Sequence, residues 1–87
     1  MYSIELSPSA LKDLRRLVKS NKKMADRIVY VIENLGLDPY LGKRLTGDLR
    51  DLMSLRAGDY RILYCVIKER ILIQIIKIAH RRDVYRK

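Results

Sequence analysis

The sequence has no tryptophan and no phenylalanine, and only one cysteine, one histidine, two prolines and four glycines in 87 residues. Each scarcity excludes something. A single cysteine, Cys65, rules out an internal disulfide framework and a cysteine-rich zinc site. It lies in the run Ile62-Leu63-Tyr64-Cys65-Val66-Ile67 and reads as a small core residue. With His80 as the one histidine, no metal site or other cofactor is expected. No apolar run approaches the roughly 20 residues that a membrane span needs. The start, Met1-Tyr2-Ser3-Ile4-Glu5, lacks the basic and long apolar regions of a signal peptide, so a cytoplasmic location is expected. Gly42-Lys43-Arg44-Leu45-Thr46-Gly47 lacks the spacing of a phosphate-binding P-loop. Carboxylates are few, which argues against a two-carboxylate hydrolase.

What is present is positive charge. Nineteen Lys and Arg face ten Asp and Glu, for a net charge of +9. Residues 1–48 carry nine basic and six acidic side chains, net +3; residues 49–87 carry ten and four, net +6. Such a field attracts a polyanion: nucleic acid, an anionic membrane or an acidic protein. The absence of a long apolar face makes membrane the weakest of the three. The length suits one domain over 1–87, with a core that buries roughly 60–65% of the chain's unfolded surface. An apolar fraction of 48% is that of a folded protein.

Hydrophobic spacing gives the elements. Tyr2 to Leu6 alternates as a short strand. Ser7-Pro8 is an N-cap followed by proline at the first helical position. Leu11, Leu14, Leu17 and Val18 then recur at helical spacing, up to Ser20-Asn21. Met24, Ile28, Val31, Ile32 and Leu35 mark a second helix, expected to stop at Gly36 and, just beyond, Asp38-Pro39. Pro39 to Asp48 reads as turn. Leu49–Arg56, Tyr60–Ile67 and Ile71–Ala79 read as three strands joined by turns at Ala57-Gly58-Asp59 and Lys68-Glu69-Arg70. The last strand is apolar on both faces and should be internal. The expected fold is α+β: an antiparallel sheet in the order β-α-α-β-β-β. The N-terminal strand joins one edge, a helix hairpin covers one face, and the other face is open to a polyanion.

The candidate chemistry lies in the last third. Arg56 and Arg61 flank the Gly58 turn; His80 and Arg81 follow the last long strand, with Tyr85 four residues on. Arg61 lies between Tyr60 and Ile62, and a charge inside an apolar strand needs a partner or a ligand. Asp59 and Asp83 are the candidate protein partners.

Three segments carry a family resemblance: Lys43-Arg44-Leu45-Thr46-Gly47-Asp48-Leu49, Leu55-Arg56-Ala57-Gly58-Asp59-Tyr60-Arg61-Ile62-Leu63-Tyr64 and Ile78-Ala79-His80-Arg81-Arg82-Asp83-Val84-Tyr85. Together with the opening strand and helix they resemble the RelE/ParE superfamily of toxin–antitoxin toxins, closest to the RelE branch. The resemblance implies a RelE-like fold and a metal-free endoribonuclease that cleaves mRNA in the ribosomal A site. It implies a small acidic antitoxin as partner in a hetero-oligomer. Arg61, Arg81 and Tyr85 match the family's functional positions, and His80 sits where some members have His and others Lys. Lys43, Arg44, Arg50, Arg56 and Arg82 are the expected further RNA contacts. The sequence departs from the family at Ser54 and Leu52, where active members often carry a base. This leaves open a ParE-like gyrase poison, or a weakened member that mainly binds its antitoxin.

The chemistry assigns roles within that expectation. Metal-free cleavage uses attack of the 2′-hydroxyl on the adjacent phosphate. Arginine cannot act as the base, so Arg61 and Arg81 are cast as phosphate clamps. Histidine ordinarily titrates near neutrality, which makes His80 the expected acid or base. Tyr85 is expected to stack on a base or to share in proton transfer.

Overall fold

The computed structural model describes residues 1–45 and 52–82. Its elements are β1 (Ser3–Leu6), α1 (Pro8–Ser20), α2 (Lys22–Leu37), β2 (Lys43–Arg44), β3 (Met53–Ala57), β4 (Tyr60–Ile67) and β5 (Leu72–His80). The strands form one sheet in the order β1-β5-β4-β3-β2. β1 runs parallel to β5, and the other neighbours are antiparallel, so the sheet is mixed rather than purely antiparallel.

Local chemistry explains the helix ends. Ser7 Oγ accepts the Ala10 N–H at 3.0 Å, and Pro8 opens α1. Asn21 serves both helices: its N–H donates to the Leu17 carbonyl at 2.7 Å, and its Oδ1 accepts the Met24 N–H at 3.2 Å. Gly36 does not stop α2, which runs on to Leu37. Its role is close approach. The Tyr2 N–H donates to the Gly36 carbonyl at 2.9 Å, and a Cβ on Gly36 would stand 3.1 Å from the Tyr2 carbonyl oxygen.

The core lies between the helix hairpin and one sheet face. Ala10 and Leu17 of α1 and Ile28, Ile32 and Leu35 of α2 meet Ile62, Tyr64, Ile73, Ile75 and Ile78. Each large aliphatic side chain enclosed there contributes about 1.5–3 kcal/mol. Leu72 and Ala79 are buried outside that cluster, so β5 is apolar on both faces and is internal as expected.

The stretch read as turn contains the edge strand β2, whose two residues pair with Ser54 and Met53. Ala57 pairs with Tyr60, so the β3–β4 turn is Gly58-Asp59 rather than three residues, with Gly58 at φ +60°. Lys68–Arg70 forms a 3₁₀ turn, and Ile71 follows it in the left-handed region, φ +50°. The last strand therefore starts at Leu72 and runs through His80.

β4 and β5 change register in the middle: Leu63 faces Lys77 but Tyr64 faces Ile75, which makes Ile76 an extra residue. β1 stops pairing with β5 at Ile75. Beyond it, the Ser7 Oγ–H donates to the Ile76 carbonyl at 2.8 Å, and Asp13 Oδ2 of α1 accepts the Ile78 N–H at 3.1 Å. Asp13 Oδ1 also accepts from Lys77 Nζ at 3.1 Å. The edge that β1 leaves bare is thus capped by side chains from α1 and its N-cap. No described helix is long and apolar enough to cross a membrane.

Candidate nucleic-acid interface

Strand alternation sorts the candidate residues onto two faces. On β4, Ile62 and Tyr64 point into the core, so Arg61 points to the face without helices. On β3, Met53 and Ala57 belong to the core, which sends Ser54 and Arg56 to that same second face. Register then brings them side by side: Arg56 is paired with Arg61, Ser54 with Leu63, and Lys43 of β2 with Ser54. A cleft of about 250 Å³ is lined by Lys43, Ser54, Arg56 and Arg61, with Leu41 and Gly42 at one side. Among the described residues no carboxylate lines it. The pairing puts two guanidinium groups within reach of one anion.

Arg56 is exposed, and its Nε–H donates to the Gly58 carbonyl at 3.2 Å, which holds the guanidinium at the β3–β4 turn. Arg61 is half-buried. Arg81 is exposed beyond β5, and its backbone N–H donates to the Asp59 carbonyl at 2.7 Å. That bond brings Arg81 to the same end of the sheet as Arg56 and Arg61.

His80 is not in this cleft. It pairs with Tyr60, and their rings meet edge-on, 5.4 Å between centroids and 80° between planes. Both line a separate hollow of about 300 Å³ with Asp13, Arg16, Ser20 and Lys77, on the α1 side of the sheet. His80 Nδ1 accepts the Arg82 N–H at 3.3 Å. Arg44, next to Lys43, likewise takes the opposite face, in a hollow with Tyr40, Met53 and Lys68. Arg82 is exposed. Tyr85 and Arg50 lie outside the described residues, as does Asp83.

The comparisons agree with the fold. The family described as the ParE toxin of type II toxin–antitoxin systems matches residues 4–85. The chain belongs to the RelE/ParE toxin superfamily. It is 37% identical over 86 residues to Toxin RelE of Mycobacterium tuberculosis, which covers 98% of this chain and 87% of that protein. To Toxin RelG of the same organism it is 30% identical over 87 residues, 99% of this chain and 98% of the relative. A solved toxin–antitoxin complex, RelBE2 from M. tuberculosis, superimposes with a TM-score of 0.82 at 27% identity, covering 91% of this chain and 96% of that one. This protein is therefore a toxin of the type II toxin–antitoxin kind.

One residue of the candidate site escapes a reading of the sequence. Tyr64 looks like one more apolar strand residue, yet it organises the cleft. Its Oη–H donates to the Pro39 carbonyl at 2.9 Å and its Oη accepts the Gly42 N–H at 3.0 Å, at full burial. Burial pushes the hydroxyl above its ordinary pKa of 10.0, with Asp38 and Tyr40 adding to the rise and the Gly42 N–H opposing it. This clamp fixes the loop ahead of β2, and Gly42 lets it pack: a Cβ there would lie 2.7 Å from both the Ser54 carbonyl and Tyr64 Oη. Ser54 reads in the sequence as a missing base. In the structure it is 5% exposed, and its Oγ has no hydrogen-bond partner among the described residues.

Proposed function

We propose that this toxin is a ribosome-dependent endoribonuclease that cleaves mRNA without a metal and is silenced by an acidic antitoxin. The observation that carries this reading is the register-matched set Lys43, Arg56 and Arg61 around Ser54 on the helix-free face. A phosphodiester in that cleft meets two forked guanidinium donors and one ammonium.

In the proposed reaction the 2′-oxygen attacks phosphorus and its proton leaves to a base. The bond to the 5′-oxygen breaks, and that oxygen takes up a proton, leaving a 2′,3′-cyclic phosphate. Arg61 and Arg56 bind the non-bridging oxygens and stabilise the charge that builds there. Arg81 reaches the same phosphate region from the turn after β5. The described residues thus supply charge and positioning, and Tyr85 remains the proposed group for stacking or proton transfer. The ribosome supplies the orientation of the RNA that so sparse a site lacks. Antitoxin binding draws on the same +9 charge that attracts RNA. The complex of the RelBE2 proteins, which share this fold, supports a toxin–antitoxin hetero-oligomer.

Mapping RNA ends after induction tests the proposal. Codon-phased cuts in translated mRNA, lost in Arg61→Ala, are expected. A second reading, a ParE-like gyrase poison that cleaves no RNA, is favoured by the family match and by the absence of His80 from the cleft. Gyrase-linked DNA breaks with intact mRNA would replace the first reading by the second.

A further inference from the structure

Three features of the cleft converge on its β2 side. Lys43 is the cross-strand partner of Ser54, so their Cβ atoms stand within about 4.5–5.5 Å and on one face. Ser54 is almost fully buried and its Oγ has no partner among the described residues, although buried hydroxyls are nearly always hydrogen-bonded. The chain entering β2 is pinned against β3 by the Tyr64 clamp and by the tight contact of Gly42 with the Ser54 carbonyl. A strand edge held this firmly presents Lys43 at a fixed place rather than on a loose loop.

Resting on the ribonuclease reading, we infer that Lys43 and Ser54 act as one phosphate-binding unit, in which β2 supplies the cation that β3 lacks at Ser54. The Lys43 ammonium binds a non-bridging oxygen of single-stranded RNA. Rotation of Ser54 about χ1 turns its hydroxyl to the same oxygen, giving the orphan donor a partner. A lysine at 54 and a lysine at 43 would place their ammonium groups over the same spot, and one of the two suffices.

The test is binding of a fluorescent single-stranded 2′-O-methyl RNA, which cannot be cleaved, across a salt series, with thermal melting of every variant. Lys43→Gln should weaken binding roughly tenfold and flatten the log–log salt slope by about 0.7. Ser54→Ala should also weaken binding roughly tenfold, while its melting temperature stays level or rises, because the hydroxyl has no protein partner to lose. The rescue is decisive: Ser54→Lys in the Lys43→Gln background should return the slope to that of the natural chain. If that double variant does not fold, Lys43→Arg serves instead, and it should keep the slope. Arg56→Gln is the control for the cleft itself. Weak binding by Arg56→Gln with natural binding by Lys43→Gln and Ser54→Ala would overturn the unit and leave the ribonuclease site standing. A lowered melting temperature with unchanged affinity in Ser54→Ala would make Ser54 structural and also overturn it. Unchanged binding in all three would remove the RNA cleft altogether.

Discussion

On β4, Ile62 and Tyr64 face the helices and are fully enclosed, while Arg61 between them and Tyr60 faces the other way, half-buried beside Arg56. The same strands thus serve two ends. One face holds the fold through apolar contact with α1 and α2. The other gathers the cations Lys43, Arg56 and Arg61 around one cleft. The two demands are separable in space, so they should separate under mutation: losses on the first face should read as stability, and losses on the second as activity.

The largest effect should come from the helix-covered face. Ile62→Ala removes a fully buried side chain and should cost about 2–5 kcal/mol, read as a shifted denaturant midpoint. Arg61→Ala is the matching change on the second face. RNA cleavage should fall about 10²–10³-fold, as for loss of one donor to a developing charge. Equal damage to stability in both variants would break the distinction between the faces.

Asp13→Ala comes next. It strips the Ile78 N–H of its acceptor and Lys77 of its partner at the edge that β1 leaves bare. The cost should be about 1–3 kcal/mol, because a partly buried donor is left unpaired. RNA binding to the folded protein should not change, since Asp13 lies on the α1 side.

Tyr64 crosses the divide, because a core side chain there sets the geometry of the cation face. Tyr64→Phe leaves the Pro39 carbonyl and Gly42 N–H without that hydroxyl, and should cost about 1–3 kcal/mol. It should also weaken RNA binding by releasing β2. The pH dependence carries the sign. The folded pKa is raised, so the unfolded chain loses this proton first as pH climbs. Stability from the protonated hydroxyl is whole below about pH 10 and is lost as pH rises through the folded value. Alkaline denaturation of Tyr64→Phe should lack that component, and an unaltered alkaline limb would exclude Tyr64 as its source.

These contrasts also explain what the sequence could reveal. The helices, the three long strands and the Gly58 turn were legible because their signals are local: spacing, caps and turn residues. Arg56 and Arg61 were legible as a pair because a short turn joins them. β2 was not, because two residues have no period, and it forms through pairing with Ser54 and Met53. Gly36 looked like a stop because glycine usually ends helices; here it leaves room for the close approach of the Tyr2 carbonyl. Nothing in a lone tyrosine announces that its hydroxyl bridges two distant backbone groups. Whether His80 shares a face with Arg61 could not be read from the sequence, because the face depends on register: Arg61 pairs with Ala79 while His80 pairs with Tyr60.

The smallest effect is therefore expected at His80. Its ring contributes an edge-on contact to Tyr60, a kind of pair worth about 0.5–1.5 kcal/mol, and an acceptor for the Arg82 N–H. His80→Ala should lower stability by roughly that amount. Cleavage should stay close to that of the natural chain, because His80 lies outside the cleft. Any pH–rate profile of RNA cleavage should keep the shape of the natural chain's. A fall of about 10²–10⁴-fold, the usual loss of a general acid or base, would bring His80 back into the reaction. It would mean that bound RNA reaches around the C-terminal end of β5 to the α1 side, and the division between a face for folding and a face for RNA would then end at that edge.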